Sequence, residues 1–197
     1  MTTHDTIEVT LDPIDPTAGI LIGFGHQKDV GKDTAARLIG FKRLAFADKL
    51  KELALAINPM MVGQPFDLMI ANNGWDGAKK NPECRQFLQR LGVGVRTIVG
   101  QSAWLDPVMA QAEVGLESGF DVAITDVRFQ NEFDAIRDRG GYLIKIERPG
   151  AQKGGVTAGH VSETDLAGAD WDAVVVNDGT ELGFKTSLER TIALLAS

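Results

Sequence analysis

A short apolar segment that leads into a glycine-containing loop constrains the fold of this chain more than any other feature. Residues 19–24 are almost entirely apolar and are followed by Gly25, which is typical of a buried parallel strand. Beyond the loop, residues 33–39 carry apolar side chains at helical spacing. A strand, a glycine-containing loop and a helix in this order predict an α/β fold with a phosphate-binding loop.

The loop between this strand and this helix contains the candidate phosphate ligands. Backbone N–H groups of such a loop converge on phosphate oxygens, and the N-terminus of the next helix adds partial positive charge. Lys32 is placed to reach the β and γ phosphates of a nucleotide, and Thr34 is placed to ligate Mg²⁺. The full set of candidates is Gly25, Lys28, Gly31, Lys32, Asp33 and Thr34.

Two departures from the usual pattern of such loops leave an alternative open. Gly25 and Gly31 stand one residue further apart than the usual pattern places its glycines. Asp33 occupies the position where a Mg²⁺-binding Ser or Thr is usual, and Thr34 follows it. An ordinary glycine-containing turn with an exposed lysine also fits these residues.

A second strand is followed directly by charged residues. Asp126 comes after the apolar run at residues 121–125, and Arg128 lies two positions further on. A carboxylate at the carboxyl end of a parallel strand can hold Mg²⁺, and an arginine can form a bidentate contact with a phosphate. The candidate catalytic residues are therefore Lys32, Asp126 and Arg128, with Thr34 and Asp126 as metal ligands. Alternatively, Asp126 caps the helix that begins near Phe129.

The rest of the chain alternates between strand-like and helix-like segments. Further strands are predicted at residues 142–146 and 173–176. Helices are predicted at residues 46–57, 82–91, 95–99, 103–118, 129–139 and 180–195. This alternation predicts a mostly parallel sheet covered by helices on both faces.

Three segments are predicted to lack regular structure. Residues 1–18 are predicted to form a flexible leader, and residues 63–81, rich in Gly, Asn, Asp and Lys, a loop or mobile insertion. Residues 148–160 are predicted to form a mobile lid that carries Arg148 and Lys153. The remainder, residues 19–197, is predicted to be a single domain.

Composition narrows the possible functions. The chain has 197 residues and a net charge of −7, which argues against a basic surface for nucleic acid or for anionic membranes. Its single cysteine, Cys84, excludes an internal disulfide and fits a reducing cytoplasm. No apolar stretch is long enough for a signal sequence or a membrane span, so we expect a cytoplasmic protein.

Four motifs together resemble those of phage-type deoxynucleoside monophosphate kinases, within the P-loop nucleoside monophosphate kinase family. They are Gly-Lys-Asp-Thr at residues 31–34, Phe-Ala-Asp-Lys-Leu-Lys at 46–51, the strand motif at 124–132 and His-Val-Ser-Glu at 160–163. The resemblance implies the P-loop kinase fold with a mobile lid, ATP as co-substrate, Mg²⁺, and phosphorylation of a (deoxy)nucleoside monophosphate to the diphosphate. It also implies the host cytoplasm for a phage-encoded protein, and it is compatible with a homodimer.

The same resemblance places the acceptor side at about residues 60–105. A chain of net negative charge that binds two nucleotides needs positive charge concentrated in its cleft. Arginines suit a monophosphate, whereas amide and aromatic side chains suit a base. The candidate acceptor ligands are Asp48, Arg85, Gln86, Gln89, Arg90, Arg96 and Trp104. A solvated amphipathic helix explains any single one of these arginines equally well, and Asp48 is also placed to cap a helix.

Other functions remain open at this point. The chain can be a P-loop kinase for another small molecule, such as dephospho-coenzyme A or phosphomevalonate. It can also be a regulatory module that binds ATP without transferring a phosphoryl group. His26, His160 and Cys84 lack partners at metal-binding spacing, which argues against a zinc site. Trp75 is either a lid residue or a surface anchor.

Overall fold

The computed structural model describes residues 19–25, 29–150, 166 and 168–197. Within these residues, a five-stranded parallel sheet has the order β2-β5-β1-β6-β7. Its strands are β1 (Leu21–Gly25), β2 (Lys42–Leu44), β5 (Val122–Val127), β6 (Tyr142–Glu147) and β7 (Ala173–Val176). A short antiparallel hairpin adds β3 (Met60–Met61) and β4 (Gln64–Pro65).

Helices connect the strands and cover the sheet. They are α1 (Lys32–Ile39), α2 (Phe46–Ile57), α3 (Phe66–Ala78), α4 (Pro82–Ile98), α5 (Leu105–Glu117), α6 (Gln130–Arg137) and α7 (Glu181–Leu195). None of the helices in the described residues is long and apolar enough to cross a membrane. The central strand β1 lies between β5 and β6, so the loop that follows it leaves from the middle of the sheet.

Successive side chains of β1 enter two different hydrophobic cores. Leu21 packs with residues of α5 and α6, such as Met109 and Phe133, on one face of the sheet. Ile22 packs with residues of α1 and α7, such as Leu188, on the other face. Each buried side chain of this size contributes about 1.5–3 kcal/mol of hydrophobic stabilisation. The prediction of a mostly parallel sheet covered on both faces is confirmed.

A third hydrophobic cluster joins α2, α3 and α4. The ring of Phe66 is fully buried and makes edge-to-face contacts with Trp75 at 5.9 Å and with Phe87 at 5.5 Å between centroids. The prediction of a loop at residues 63–81 is therefore wrong, because this segment contains β4 and α3. The helix was not recognised in the sequence because polar residues lie between its apolar side chains and because Gly74 (φ 64°) interrupts it. Trp75 is part of this cluster and not a lid residue.

The predicted break between residues 91 and 95 is also wrong, since α4 continues through both of its glycines. A Cβ on Gly92 would lie 2.9 Å from Leu50 of α2, so glycine here permits close contact between the two helices. The backbone carbonyl of Gly92 also accepts a hydrogen bond from the indole of Trp104 at 3.1 Å. Strand β2 was missed because it is three residues long and mostly exposed.

The predicted leader, residues 1–18, lies outside the described residues, as does most of the predicted lid. Of the lid range, Arg148 is described and is exposed directly after β6, whereas Lys153 is outside. The leader, the lid and the single-domain organisation stay predictions.

Candidate active site

The buried strand β1 ends at Gly25, where the candidate phosphate-binding loop begins. A Cβ on Gly25 would overlap the indole ring of Trp171, so only glycine fits this position without a shift of that ring. Trp171 is held in turn by an edge-to-face contact with Phe133 at 5.2 Å. Lys28 and His26 lie in the part of the loop outside the described residues.

The end of the loop is fixed at Gly31. This residue has a left-handed backbone conformation (φ 100°) and caps the N-terminus of α1. A Cβ here would lie 2.7 Å from Nδ2 of Asn177, which donates a hydrogen bond to the carbonyl of Val30 at 2.9 Å. Asn177, which the sequence analysis missed, therefore stabilises the loop from the end of β7. The loop is thus anchored next to the backbone N–H groups at the start of α1, as an anion site requires.

Lys32 lies near charged groups that belong to the ends of two strands, β1 and β5. Partial burial and the cationic Arg128 lower its pKa to about 8, whereas Asp126, Asp33 and Asp29 act in the opposite direction. The hydroxyl of Thr125, the residue before Asp126, donates a hydrogen bond to Asp33 at 2.7 Å and so holds the end of β5 against the start of α1. The structure thus brings together Lys32, Asp126 and Arg128, which lie far apart in the sequence. Thr34 is half-buried in the first turn of α1.

Asp126 connects the end of β5 to α2. Its Oδ1 accepts a hydrogen bond from the backbone N–H of Phe46 at 2.8 Å, and its Oδ2 accepts one from Ala47 at 2.9 Å. Asp126 therefore caps α2, and the alternative that it caps the helix near Phe129 is wrong. Burial raises the pKa of Asp126, although these backbone bonds and Arg128 lower it.

Glu132 performs the capping role at α6 that the sequence analysis considered for Asp126. Its Oε2 accepts hydrogen bonds from the backbone N–H groups of Arg128 at 2.8 Å and of Phe129 at 3.1 Å. Burial raises the pKa of Glu132 to about 7, and nearby Asp126 adds to this effect, while Arg96 opposes it. This role was not predicted from the sequence, although a Glu in the first turn of a helix is a known capping signal.

Asp33 is held by a charge network that the sequence analysis also missed. Arg43 donates from Nε to Asp33 at 2.5 Å and from Nη1 to Asp48 at 2.6 Å, and Lys51 donates to Asp48 at 2.7 Å. The hydroxyl of Thr125 donates to Asp33 at 2.7 Å. Burial raises the pKa of Asp33, but the bonds from Arg43 and Thr125 outweigh it and keep the pKa below its usual value. Arg43 thus links the phosphate-binding loop to α2.

The acceptor candidates on α4 fall into two groups. One group is exposed and consists of Arg85, Gln86, Gln89 and Arg90. Of these, Arg85 donates to the backbone carbonyl of Lys79 at 3.2 Å, near the end of α3. Arg96, by contrast, is half-buried and contacts Phe129 and Glu132, which follow Asp126 in the sequence.

Trp104 is 6% exposed, and its indole N–H donates a hydrogen bond to the carbonyl of Gly92. The geometry favours a packing role for this residue over a platform for a base. Among the described residues, no cluster of three or more His, Cys, Asp or Glu side chains forms a metal site.

Comparisons with known proteins assign the family. A protein of Acanthamoeba polyphaga mimivirus, named "Putative deoxynucleotide monophosphate kinase", is 32% identical over 185 residues, which cover 82% of this chain and 90% of that protein. A family model described as deoxynucleotide monophosphate kinase matches residues 70–186. This chain belongs to the deoxynucleotide monophosphate kinase family. The predicted resemblance is thereby confirmed.

Two further relatives agree with the family and the fold. The deoxynucleotide monophosphate kinase of Enterobacteria phage T4 is 37% identical over 79 residues, which cover 40% of this chain and 32% of the phage protein. A dephospho-CoA kinase from Campylobacter jejuni is similar in structure, with a TM-score of 0.50, 14% identity, and coverage of 90% of this chain and 97% of that one. That likeness supports the fold alone.

Proposed function

We propose that this member of the deoxynucleotide monophosphate kinase family transfers the γ-phosphoryl group of ATP to a deoxynucleoside monophosphate, giving ADP and the deoxynucleoside diphosphate. The observation that carries the proposal is the hydrogen bond from Thr125, the residue before Asp126, to Asp33 at the N-terminus of α1, at 2.7 Å, which holds the end of β5 next to Lys32. Transfer of a phosphoryl group depends on positioning and charge stabilisation, which are what this arrangement of residues supplies.

The donor half of the site consists of the loop after β1 and the start of α1. Lys32 remains predominantly charged at pH 7, since its pKa is about 8, and it would stabilise charge on the transferred phosphoryl group. The N–H groups at the N-terminus of α1 would bind phosphate oxygens. Arg148, which is exposed after β6, would contact the same nucleotide.

The donor atoms at this site fit Mg²⁺, a hard cation that prefers oxygen ligands and commonly takes one or two carboxylates together with substrate phosphates. Asp126 would hold it with its carboxylate, whose oxygens each accept one backbone hydrogen bond and keep a further lone pair, and Thr34 would offer a hydroxyl. When bound, the ion would neutralise charge on the β and γ phosphates. Asp33 is less suited to it, because the guanidinium of Arg43 neutralises its charge and its Oδ1 accepts hydrogen bonds from both Arg43 and Thr125.

The acceptor half consists of the N-terminal end of α2 and the side of α4 that carries Arg96. Asp126 anchors α2 directly to the donor side, so the two halves are held at a fixed separation. Asp48, itself held by Arg43 and Lys51, is placed to meet a sugar hydroxyl of the acceptor. An acceptor phosphate is already ionised near neutral pH, so its attack on ATP needs no strong general base.

The test is a coupled assay of ATP consumption with dAMP, dGMP, dCMP, dTMP and their ribonucleotide forms as acceptors. We expect turnover with at least one deoxynucleoside monophosphate and its loss in Lys32→Ala. Lys185→Ala provides the matched control, because Lys185 forms a surface pair with Glu189 on α7. Turnover with dephospho-coenzyme A alone would favour a different small-molecule kinase. ATP binding without transfer to any acceptor would favour a regulatory module.

A further inference from the structure

A single buried carboxylate joins α4 to the segment that follows Asp126. Glu132 is 3% exposed and uses both of its oxygens. Its Oε2 accepts the backbone N–H groups of Arg128 and Phe129, and its Oε1 accepts a bond from Nη2 of Arg96 at 3.1 Å. The same group therefore fixes the backbone beside Asp126 and one side chain of the acceptor-side helix.

Arg96 is held from a second direction by an aromatic ring. Its guanidinium lies over the ring of Phe129, 4.0 Å from the centroid, and the side chain is 21% exposed. This orientation is fixed in advance, so less side-chain entropy is lost when the guanidinium binds an anion. Arg85 and Arg90, by contrast, are exposed side chains on the same helix.

Helix capping alone does not account for this arrangement. The two backbone bonds satisfy the cap of α6 without any arginine, and an ion pair buried to this degree gives little net stability compared with an apolar pair. A guanidinium has five N–H donors, and within the described residues one of them is used by Glu132. The others are suited to a planar, bidentate contact with phosphate oxygens.

We propose that Arg96 binds the phosphate of the acceptor, and that Glu132 is the positioning residue that holds Arg96 against the segment that follows Asp126. This inference rests on the proposed function, because it takes the monophosphate as the second substrate. It selects one arginine among the three on the acceptor-side helix. It also gives a role to a buried carboxylate that the phosphoryl transfer itself does not use.

The experiment compares Arg96→Ala, Glu132→Gln and the double variant, at pH 8, by steady-state kinetics with the best monophosphate and by calorimetry with ATP. Arg96→Ala should raise the KM for the monophosphate about 10²-fold and leave the Kd for ATP within about twofold. Glu132→Gln should raise the same KM about tenfold, because an amide no longer holds the guanidinium. The double variant should be no worse than Arg96→Ala, since both changes remove one interaction.

The matched controls are Arg139→Ala and Glu113→Gln, which break a surface pair at 2.6 Å between α5 and the end of α6. Both should keep the wild-type KM. Where Glu132→Gln fails to fold, Arg96→Lys replaces it, because lysine keeps the charge but loses the planar fork and should still raise the KM.

Four results would overturn the inference. A wild-type KM in Arg96→Ala would exclude Arg96 from the acceptor site. Losses of ATP affinity equal to the losses of monophosphate affinity, or additive effects in the double variant, would show a purely structural role. A wild-type protein that phosphorylates no monophosphate would refute the proposed function together with this inference, whereas the other results refute the inference alone.

Discussion

Asp126 and Phe46 lie 80 positions apart in the sequence, yet Oδ1 of Asp126 accepts a hydrogen bond from the backbone N–H of Phe46 at 2.8 Å. The second oxygen accepts one from Ala47. The carboxylate at the end of β5 thereby determines where α2 begins. The candidate metal ligand and the first residues of the acceptor side are one connected unit, so a change at Asp126 should affect both.

Asp126→Asn should therefore have two separable effects. Removing the charge should raise the Mg²⁺ concentration required for half-maximal turnover and lower the maximal rate, because an amide attracts a hard divalent ion less. Losing one backbone acceptor at the N-terminus of α2 should lower the free energy of unfolding by about 1–2 kcal/mol. Mg²⁺ titration of turnover and urea denaturation measure the two effects.

Asp121→Asn is the control for that variant. Asp121 precedes β5, and its carboxylate accepts a hydrogen bond from the backbone N–H of Ile20 at 2.7 Å. It should lose stability without any change in Mg²⁺ dependence. An Asp126→Asn protein with a normal Mg²⁺ requirement would mean that this residue is only a helix cap.

Lys32→Ala should reduce turnover by at least about 10²-fold without destabilising the protein. The side chain stabilises charge on phosphate oxygens, which corresponds to several kcal/mol in the transition state. Partial burial lowers the pKa of Lys32, which means that its positive charge is unfavourable in the folded protein. Removing the charged side chain should therefore not unfold the chain. Initial rates and melting temperature check this, and a variant with near-normal turnover would remove Lys32 from the site.

Arg43→Ala should weaken ATP binding about tenfold. Without the guanidinium, the carboxylates of Asp33 and Asp48 lose their shared partner and repel the phosphates that bind next to Asp33. Calorimetry at low and high salt should show a larger loss at low salt. Arg37→Ala is the control, because it breaks an exposed pair with Glu181 elsewhere on α1. Equal ATP affinity in the two variants would refute the role of Arg43.

Glu132 should make stability depend on pH. Its folded pKa of about 7 lies above the ordinary value of 4.5, because burial and the charge of Asp126 raise it more than the charge of Arg96 and the backbone N–H groups of Arg128 and Phe129 lower it. The folded state then binds more protons than the unfolded state between pH 4.5 and 7. Relative to Glu132→Gln, the wild-type free energy of unfolding should fall by about 1 kcal/mol per pH unit in this window and level off above it. Denaturation at several pH values measures this, and a constant difference would contradict the assignment.

Much of the donor side could be predicted from the sequence because its signals are local. The apolar run before Gly25, the left-handed Gly31 and the helix after Lys32 are all encoded within about twenty residues. The strand before Asp126 is equally clear, and parallel strand ends meet at one edge of a sheet. These rules account for the sheet and for the placement of Lys32 near Asp126.

The contacts that hold the site could not be predicted, because each joins residues of different helices and strands, whose relative placement the local pattern does not specify. Arg43 reaches Asp33 and Asp48 from a strand that is too short and polar to recognise. In the sequence, Glu132 cannot be distinguished from an ordinary helical glutamate, because its contact with Arg96 of α4 is visible only in the structure. Composition was misleading for residues 63–81, where the Gly, Asn, Asp and Lys residues suggested a loop although the segment contains α3. The roles of Lys28, Lys153 and the predicted homodimer stay predictions.

The most direct test of phosphoryl transfer between the two halves of this site follows the γ-phosphoryl group itself. ATP labelled at the γ position is incubated with Mg²⁺ and the best deoxynucleoside monophosphate, and the products are separated. We predict that the label appears at the β position of the deoxynucleoside diphosphate, one equivalent for each ADP formed, and that Lys32→Ala abolishes its appearance. Label released only as inorganic phosphate, or retained in ATP with every acceptor, would contradict the account.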